Sequence, residues 1–522
     1  MPLPPSPTSC DVANVVEIMP NRLYWLARRT VPKDTATSHF FSIDGVLRYD
    51  PFCADFGPLS LGLTFRYCKM VEAKLNNPNL AGKRIIHCCL QDPRFRANAA
   101  CLMCLFQVVV QRKAPEEALR PFSGIDPPFF PFRDAIDGPC SFQLTILDCL
   151  EGMHKALELG WFDMDEFDLC SYESLGNPYK ADATWVIPEK FVAFAGPYAT
   201  PADEHGCPCF TPEDCVPIFR SAGIGMVVRL NNKQYDRRRF TDHGIRHSDL
   251  YFPDGSCPPW DIMSKFLSLA EMESGPIAVH CKAGLGRTCT LIGLYAMKHF
   301  AFPARAFIGW TRLCRPGSIL GPQQQFLVNM QNEMFRMGAA PPSPRCKLGC
   351  KSEVAKPLAC VRLASLTSGQ QHRDMGQGER LCNAKRVGQA GPWSANCRAD
   401  DVVGCPGLPK QKRSSDVPSL SIIGGDDSLS THATPLAKPK RSHSSAPSVH
   451  AVSALCKEDI MDGPGAFCLG GTMPKAKLPP LIKKPVSRQI SVPDLLGIDK
   501  IREQTRMNPV SEKENGGSSR SR

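Results

Sequence analysis

Two segments of the chain share one hydrophobic pattern. Pro276-Ile277-Ala278-Val279 is a short apolar run suited to a buried strand, and Cys289 to Phe300 is a largely apolar stretch of helical length. A glycine-bearing loop separates them, so the pattern predicts strand, tight loop, helix. Upstream, Lys83-Arg84-Ile85-Ile86-His87-Cys88 parallels Pro276 to Cys281, and a helix-like apolar run follows from Asn98 to Gln111. Ala114-Pro115-Glu116-Glu117-Ala118 then stands much as Pro303-Ala304-Arg305-Ala306 does later. His87, Cys88 and Arg94 each lie 193 positions before His280, Cys281 and Arg287. The spacing predicts two domains of one α/β fold, each a central sheet flanked by helices. From roughly Ala339 the apolar periodicity stops and Ser, Pro, Gly and Lys dominate, a composition that buries too little to offset chain entropy and predicts disorder.

The later loop carries chemistry. It runs His280-Cys281-Lys282-Ala283-Gly284-Leu285-Gly286-Arg287-Thr288 and joins a strand end to a helix N-terminus, where unpaired N–H groups and the helix dipole favour an anion. Gly284 and Gly286 let successive amides converge on phosphate oxygens. Thiols at helix N-termini or beside cations titrate low, so Cys281 is expected as a thiolate able to attack phosphorus. Arg287 offers a planar fork for two equatorial phosphoryl oxygens, and its benefit grows in the transition state. Thr288 is placed to hydrogen-bond the sulfur, and His280 to order the loop through backbone hydrogen bonds. The loop lacks the Gly-Lys-Ser/Thr ending of a nucleotide-binding P-loop. Asp254, between Pro253 and Gly255 in Tyr251-Phe252-Pro253-Asp254-Gly255-Ser256, is the candidate general acid on a loop able to close over bound phosphate.

These residues resemble the protein tyrosine and dual-specificity phosphatases, and more closely the cell division cycle fourteen phosphatases. The resemblance also rests on Arg229-Leu230-Asn231-Asn232-Lys233, Arg239-Phe240-Thr241-Asp242, Cys314-Arg315-Pro316-Gly317-Ser318, Gly321-Pro322-Gln323-Gln324 and Ala54-Asp55-Phe56-Gly57-Pro58-Leu59, covering roughly residues 15–338. It implies Cys281 as nucleophile, Arg287 as phosphate clamp, Asp254 as acid, and a glutamine at Gln323 or, by preference, Gln324 that positions water. It implies no cofactor and no metal. Cys289 departs from the pattern, because the family usually has glycine there; the favoured reading is a tolerated substitution, beside a thiol that crowds the loop or pairs with Cys281 under oxidation.

The resemblance divides the chain into a flexible N-terminus (1–15), a non-catalytic phosphatase-like domain (16–158), an acidic linker (159–178), a catalytic domain (179–338) and a basic regulatory tail (339–522). The first copy is chemically poor. Its loop has no glycine, Asp92 would repel phosphate, Pro93 supplies no N–H, and Phe95 stands where the hydroxyl should be. In the linker, Asp163, Asp165, Glu166, Asp168 and Glu173 crowd one short stretch; Glu166, Asp168 and Glu173 are the candidates to hold a basic residue of the substrate. The family resemblance implies phosphoserine followed by proline, with lysine or arginine at the third position, in sites made by cyclin-dependent kinases.

Charge divides as the pattern does. Of the 522 residues, those from 340 onward hold 28 Lys and Arg against 16 Asp and Glu, an excess of +12 against +11 for the whole chain, so the folded part is close to neutral. Lys410-Gln411-Lys412-Arg413 and Lys438-Pro439-Lys440-Arg441 read as nuclear-import signals or as solvated linker charge. Ser343, Ser442 and Ser491 are candidate kinase targets, and Leu478 to Ile482 and Val492 to Ile498 candidate docking or export patches. The 25 cysteines, with no secretory signal and no membrane-length apolar run, fit free thiols in a reducing nuclear and cytoplasmic setting, with centrosome, spindle or cilium implied by the resemblance. Cys101-x2-Cys104, Cys207-x-Cys209 and Cys346-x3-Cys350 do not form paired zinc sets.

The reading is a cysteine-dependent phosphoprotein phosphatase whose partners are phosphoprotein substrates of proline-directed kinases, with import factors and kinases acting on the tail, and with no motif for nucleic acid. Two rivals stand beside it: a phosphopeptide-binding scaffold with poor turnover, and a redox-responsive thiol protein built on Cys281 and Cys289. A phosphoinositide substrate is opposed by the acidic linker, which repels anionic head groups.

Overall fold

The computed structural model describes residues 15–203, 206–339 and 376–389. The nuclear-import clusters, the three tail serines, the two apolar patches and Cys346-x3-Cys350 lie outside the described residues.

The first half opens with β1 (Val15–Met19) and β2 (Leu23–Ala27), an antiparallel hairpin. Then come β3 (Ser38–Phe41) and α1 (Leu61–Leu75), whose N-cap Ser60 accepts from the Leu63 amide. After β4 (Arg84–Cys89), helices α2 (Pro93–Val109), α3 (Pro115–Leu119) and α4 (Ile146–Glu158) follow. A reciprocal capping box between Thr145 and Asp148 starts α4. The sheet order is β1-β2-β4-β3, with β4 parallel to both neighbours.

The second half repeats the plan. After α5 (Leu169–Leu175) come the antiparallel pair β5 (Ala183–Ile187) and β6 (Phe191–Phe194), then α6 (Pro212–Ser221), β7 (Met226–Arg229), α7 (Arg238–Thr241), β8 (Arg246–Asp249) and α8 (Trp260–Met272). The chain continues through β9 (Ile277–His280), α9 (Gly286–Phe300), α10 (Ala304–Cys314), α11 (Pro322–Ala339) and α12 (Gln377–Gln389). Sheet order is β5-β6-β9-β7-β8. Hairpin, crossover and central parallel strand correspond, β4 to β9 and β3 to β7, so the repeat read in the sequence is a repeat of topology; β8 is an extra edge strand.

The halves are joined by more than a linker. One hydrophobic core runs through both, with Leu150 and Met153 of α4 and Trp310 and Leu313 of α10 all buried in it. Arg305 at the start of α10 makes two 2.8 Å bonds to the Asp148 carboxylate of α4. The acidic stretch is amphipathic: Phe162, Met164 and Leu169 are buried while the carboxylates face outward, and the Tyr172 hydroxyl donates to the Cys314 carbonyl at 2.7 Å.

One expectation is corrected here. The stretch from 339 onward is not wholly without structure, because 377–389 form a helix. Its apolar anchors, Leu381 and Cys382, are too few to register as periodicity, and they find partners only in the folded domain.

Candidate active site

β9 is the central strand of the second sheet, and all four of its residues are buried. Its last residue, His280, delivers the chain into the loop that ends where α9 begins at Gly286. Three sets of contacts hold that loop. The Leu230 amide donates to the His280 carbonyl and the Gly196 amide to the Lys282 carbonyl, each at 2.8 Å. Buried Arg315 donates to the carbonyls of Gly284 and Ala283, at 2.9 and 3.0 Å. With those carbonyls taken up on one side, the amides of Ala283, Gly284 and Leu285 donate to no protein acceptor among the described residues and are free for an anion. Gly284 has φ 67°, and a Cβ there would fall 2.0 Å from the Phe194 carbonyl oxygen, so no other residue fits.

His280 is bonded to the loop backbone and to a tyrosine. Its Nδ1 lies 2.9 Å from the Cys281 carbonyl and its Nε2 2.7 Å from the Tyr235 hydroxyl. Burial pushes the ring down to about 3, so it is neutral and plays a positioning part. Tyr235, which also meets His247 Nε2 at 3.0 Å, is a supporting residue that nothing in the local sequence flags.

Cys281 sits at the strand end, 3 % exposed. Arg287, in the first turn of α9, is 2 % exposed. Its Nη1 donates to the Phe252 carbonyl at 3.0 Å and its Nη2 pairs with Asp254 Oδ1 at 3.0 Å. Its Nε is buried with no hydrogen-bond partner. A buried guanidinium donor left open is costly unless an anion completes it. Asp254 lies in the loop between β8 and α8. That loop is braced by the Ser256 hydroxyl on the Pro253 carbonyl (2.7 Å) and by Gln323 Nε2 on the Ser256 carbonyl (3.0 Å). The unpaired amides, Cys281 and Arg287 thus belong to one loop, to which Asp254 is joined through its pair with Arg287.

Residues 17–156 match a family model described as the N-terminal half of dual specificity protein phosphatases, and residues 211–301 one described as a DSP-PTPase phosphatase of polymorphic toxin systems. Dual specificity protein phosphatase CDC14AB of Danio rerio is 39% identical over 444 residues, covering 81% of this chain and 72% of that protein. This chain belongs to the CDC14 family of dual specificity protein phosphatases. CDC14A of Homo sapiens is 47% identical over 331 residues, 63% of this chain and 56% of that protein, and tyrosine-protein phosphatase CDC14 of Saccharomyces cerevisiae 37% over 330 residues, 61% and 59%. The chain thus spans little more than half the length of the human relative.

The corresponding loop of the first half is built differently. Cys88 lies inside strand β4 and not past its end, 1 % exposed, its thiol pushed up to about 12 by burial. Asp92 caps α2, accepting from the Arg94 amide at 2.9 Å and from its guanidinium at 3.1 Å. The protein's own carboxylate occupies the helix N-terminus where a phosphate would sit.

Three sequence expectations, on Gln324, Thr288 and the linker carboxylates, are revised by the geometry, and Cys289 is placed by it. Gln324 does not face the loop. It is buried between Arg312, which donates to its Oε1 at 2.6 Å, and Asp134, which accepts from its Nε2 at 2.9 Å. Gln323 is the glutamine at the loop, because a Cβ on Gly286 would meet its Oε1 at 2.8 Å. On α11 adjacent residues point about 100° apart, so only one of the pair can face α9. The Thr288 hydroxyl makes no bond to the Cys281 sulfur; it is buried without a partner. Cys289 is buried with its Sγ 3.4 Å from the Ser318 hydroxyl, and burial pushes its thiol up to about 11, which opposes easy exchange with Cys281. Of the three linker carboxylates, Asp168 caps α5 by accepting from the Ser171 amide, Glu166 is exposed, and Glu173 pairs with Arg66 at 2.7 Å. Only Glu173 lines the cavity of about 470 Å³ beside Arg315. Asp182 lines it too, 4 % exposed and bonded to Arg315 at 2.9 Å. It was missed because it stands alone between two alanines, outside the acidic run.

Proposed function

We propose that this chain is a cysteine-dependent protein phosphatase acting on phosphoserine and phosphothreonine, and on phosphotyrosine, through a cysteinyl-phosphate. The observation that supports it best is the open Nε of buried Arg287 beside the unpaired amides of 283–285, a seat shaped for a dianion. Phosphate enters the loop and the Cys281 sulfur attacks in line. The S–P bond forms as the P–O bond to the substrate breaks, and Asp254 gives its proton to the leaving oxygen. Water, held by Gln323, then attacks phosphorus while ionised Asp254 takes its proton, and the thiolate leaves. The cycle returns thiolate and acid with inorganic phosphate as product.

The cavity lined by Glu173 and Asp182 supports a preference for a basic residue a few positions past the phosphoresidue, as in phosphoserine-Pro-x-Lys or -Arg sites made by cyclin-dependent kinases. Roles in cell division, and residence in nucleus, cytoplasm and centrosome, belong to the same proposal. The test is rapid acid quenching with a phosphorus-labelled phosphoserine peptide. Label should appear on Cys281, be absent in Cys281→Ser, and persist longer in Asp254→Asn. Turnover in Cys281→Ser equal to the parent chain would refute the covalent route.

A further inference from the structure

The first half of the chain reaches the phosphate loop through one short segment. Arg133 to Ile136 lie between α3 and α4, and a bridge between Phe132 and Leu144 closes the loop that carries them. The Arg133 guanidinium donates to the Ile136 carbonyl at 3.2 Å and braces the segment from within. Ala135 shares one buried apolar cluster with Ala283 and Leu285 of the phosphate loop and with Leu320. Asp134, buried beside it, ends on the turn that starts α11. Its Oδ2 accepts from the Gly321 amide at 2.7 Å and from Gln324 Nε2 at 2.9 Å.

That turn carries Gln323. The Gln323 Oε1 accepts from the Leu320 amide at 3.3 Å, and its Nε2 donates to the Ser256 carbonyl in the loop that holds Asp254. Gly321 has φ 51°, and its amide finds an acceptor 187 residues earlier in the chain. The acceptor is a desolvated carboxylate, so losing it leaves a buried N–H without a partner. One line of contacts therefore runs from Asp134 through the Gly321 turn and Gln323 to the loop of Asp254.

We propose that Asp134 is a positioning residue for the second step of the reaction. It fixes the Gly321 turn, and thereby the place where Gln323 holds the water that hydrolyses the cysteinyl-phosphate. The inference rests on the phosphatase reading and on Gln323 as the water-holding group. In that step water attacks phosphorus, the S–P bond breaks, the thiolate leaves and ionised Asp254 takes the proton. Forming the S–P bond draws instead on the phosphate loop, which Arg315, Gly196 and Leu230 hold. Losing Asp134 should slow the second step and spare the first. Misplacing a reacting group by about 1 Å can cost on the order of 10²-fold.

The test uses the full chain. A phosphorus-labelled phosphoserine peptide reads the lifetime of label on Cys281, and p-nitrophenyl phosphate reads the burst. Asp134→Ala should prolong the label about tenfold or more and give a burst of about one nitrophenolate per active site. Its kcat and KM should fall together, leaving kcat/KM within about threefold, because that ratio reports only the steps through S–P bond formation. Asp134→Asn keeps an oxygen acceptor of the same reach and should recover most of the loss. Asp134→Glu keeps the charge but shifts the acceptor by one carbon–carbon bond, so it should behave as Asp134→Ala and replaces it if that chain does not fold. Gln324→Ala leaves the Gly321 bond in place and controls for lost stability alone; its label should clear at the parent rate. Label prolonged equally in Gln324→Ala, or a fall in kcat/KM with unchanged label lifetime, would reject the positioning role and retain the phosphatase. Parent-like label in Asp134→Glu together with long-lived label in Asp134→Asn would mean that charge and not position matters, and would also reject it. No label on Cys281 in the parent chain would reject both.

Discussion

Arg287 Nη2 and Asp254 Oδ1 stand 3.0 Å apart, both side chains largely out of solvent. The clamp for phosphate and the group assigned as its acid are therefore in direct contact before any ligand arrives. Separating their roles needs substrates with different leaving groups. Asp254→Asn should lower kcat on a phosphoserine peptide by about 10²–10⁴, the usual range for losing a general acid, and far less on p-nitrophenyl phosphate, whose leaving group needs no proton. Equal losses on the two substrates would mean that Asp254 holds Arg287 and donates nothing.

Arg287→Lys should be severe in spite of the retained charge. An ammonium cannot reach the Phe252 carbonyl, Asp254 and a phosphoryl oxygen together. Loss of about 10²-fold or more in kcat/KM with an unchanged circular dichroism spectrum is the expected result. Activity within threefold of the parent would show that the planar fork is not used.

The two adjacent glutamines should separate cleanly. Gln324→Ala removes one bond from each of buried Arg312 and Asp134, which keep the Ser318 and Ile319 carbonyls and the Gly321 amide, and should cost about 1–3 kcal/mol in urea unfolding with little change in kcat. Gln323→Ala should slow hydrolysis of the phosphoenzyme, read as longer-lived label on Cys281, with the smaller stability loss. The reverse pattern would restore Gln324 to the catalytic role.

Most of the fold and the heart of the site were legible in the sequence, for a physical reason. Strand β9, its glycine loop and α9 are contiguous, so Cys281, Gly284 and Arg287 announce themselves by spacing alone. The repeat at 193 positions showed the second copy, and Asp92 in its loop already told against phosphate. What failed was whatever depends on direction or distance in three dimensions. Gln323 and Gln324 are indistinguishable in a string, and only the turn of α11 decides between them. Asp182 is an isolated acid whose importance comes from Arg315, more than a hundred residues away. The helix at 377–389 lacks a strong apolar stripe and is held by pairs such as Lys385 with Asp182 that no local window contains.

Cys289 should be dispensable. Its thiol is buried, protonated at neutral pH and directed at Ser318. Cys289→Ala should leave kcat within about threefold and the rate of peroxide inactivation unchanged. Loss of reversible protection by that substitution would revive a Cys281–Cys289 disulfide.

Stability should fall on mild acidification. Burial holds His87 and His280 down to about 3, well below the unfolded value near 6.5. The unfolded chain therefore binds more protons between those limits. The contribution is complete above pH 6.5 and is lost as pH drops, at about 3 kcal/mol per pH unit for the pair. Urea midpoints at pH 7 and pH 5 measure this; equal midpoints would mean that the two rings are accessible to protons in the folded state.

The central claim is tested most directly by turnover on two phosphoserine peptides that differ only at the third position after the phosphoresidue, lysine in one and glutamate in the other. The comparison uses the full chain, with Cys281→Ser as control. The account predicts Cys281-dependent release of phosphate that strongly favours the lysine peptide. That preference should be weakened by Asp182→Asn and unaltered by Glu166→Gln. Tight binding of both peptides with no hydrolysis, under full reduction, would contradict the account and leave a phosphopeptide-binding scaffold in its place.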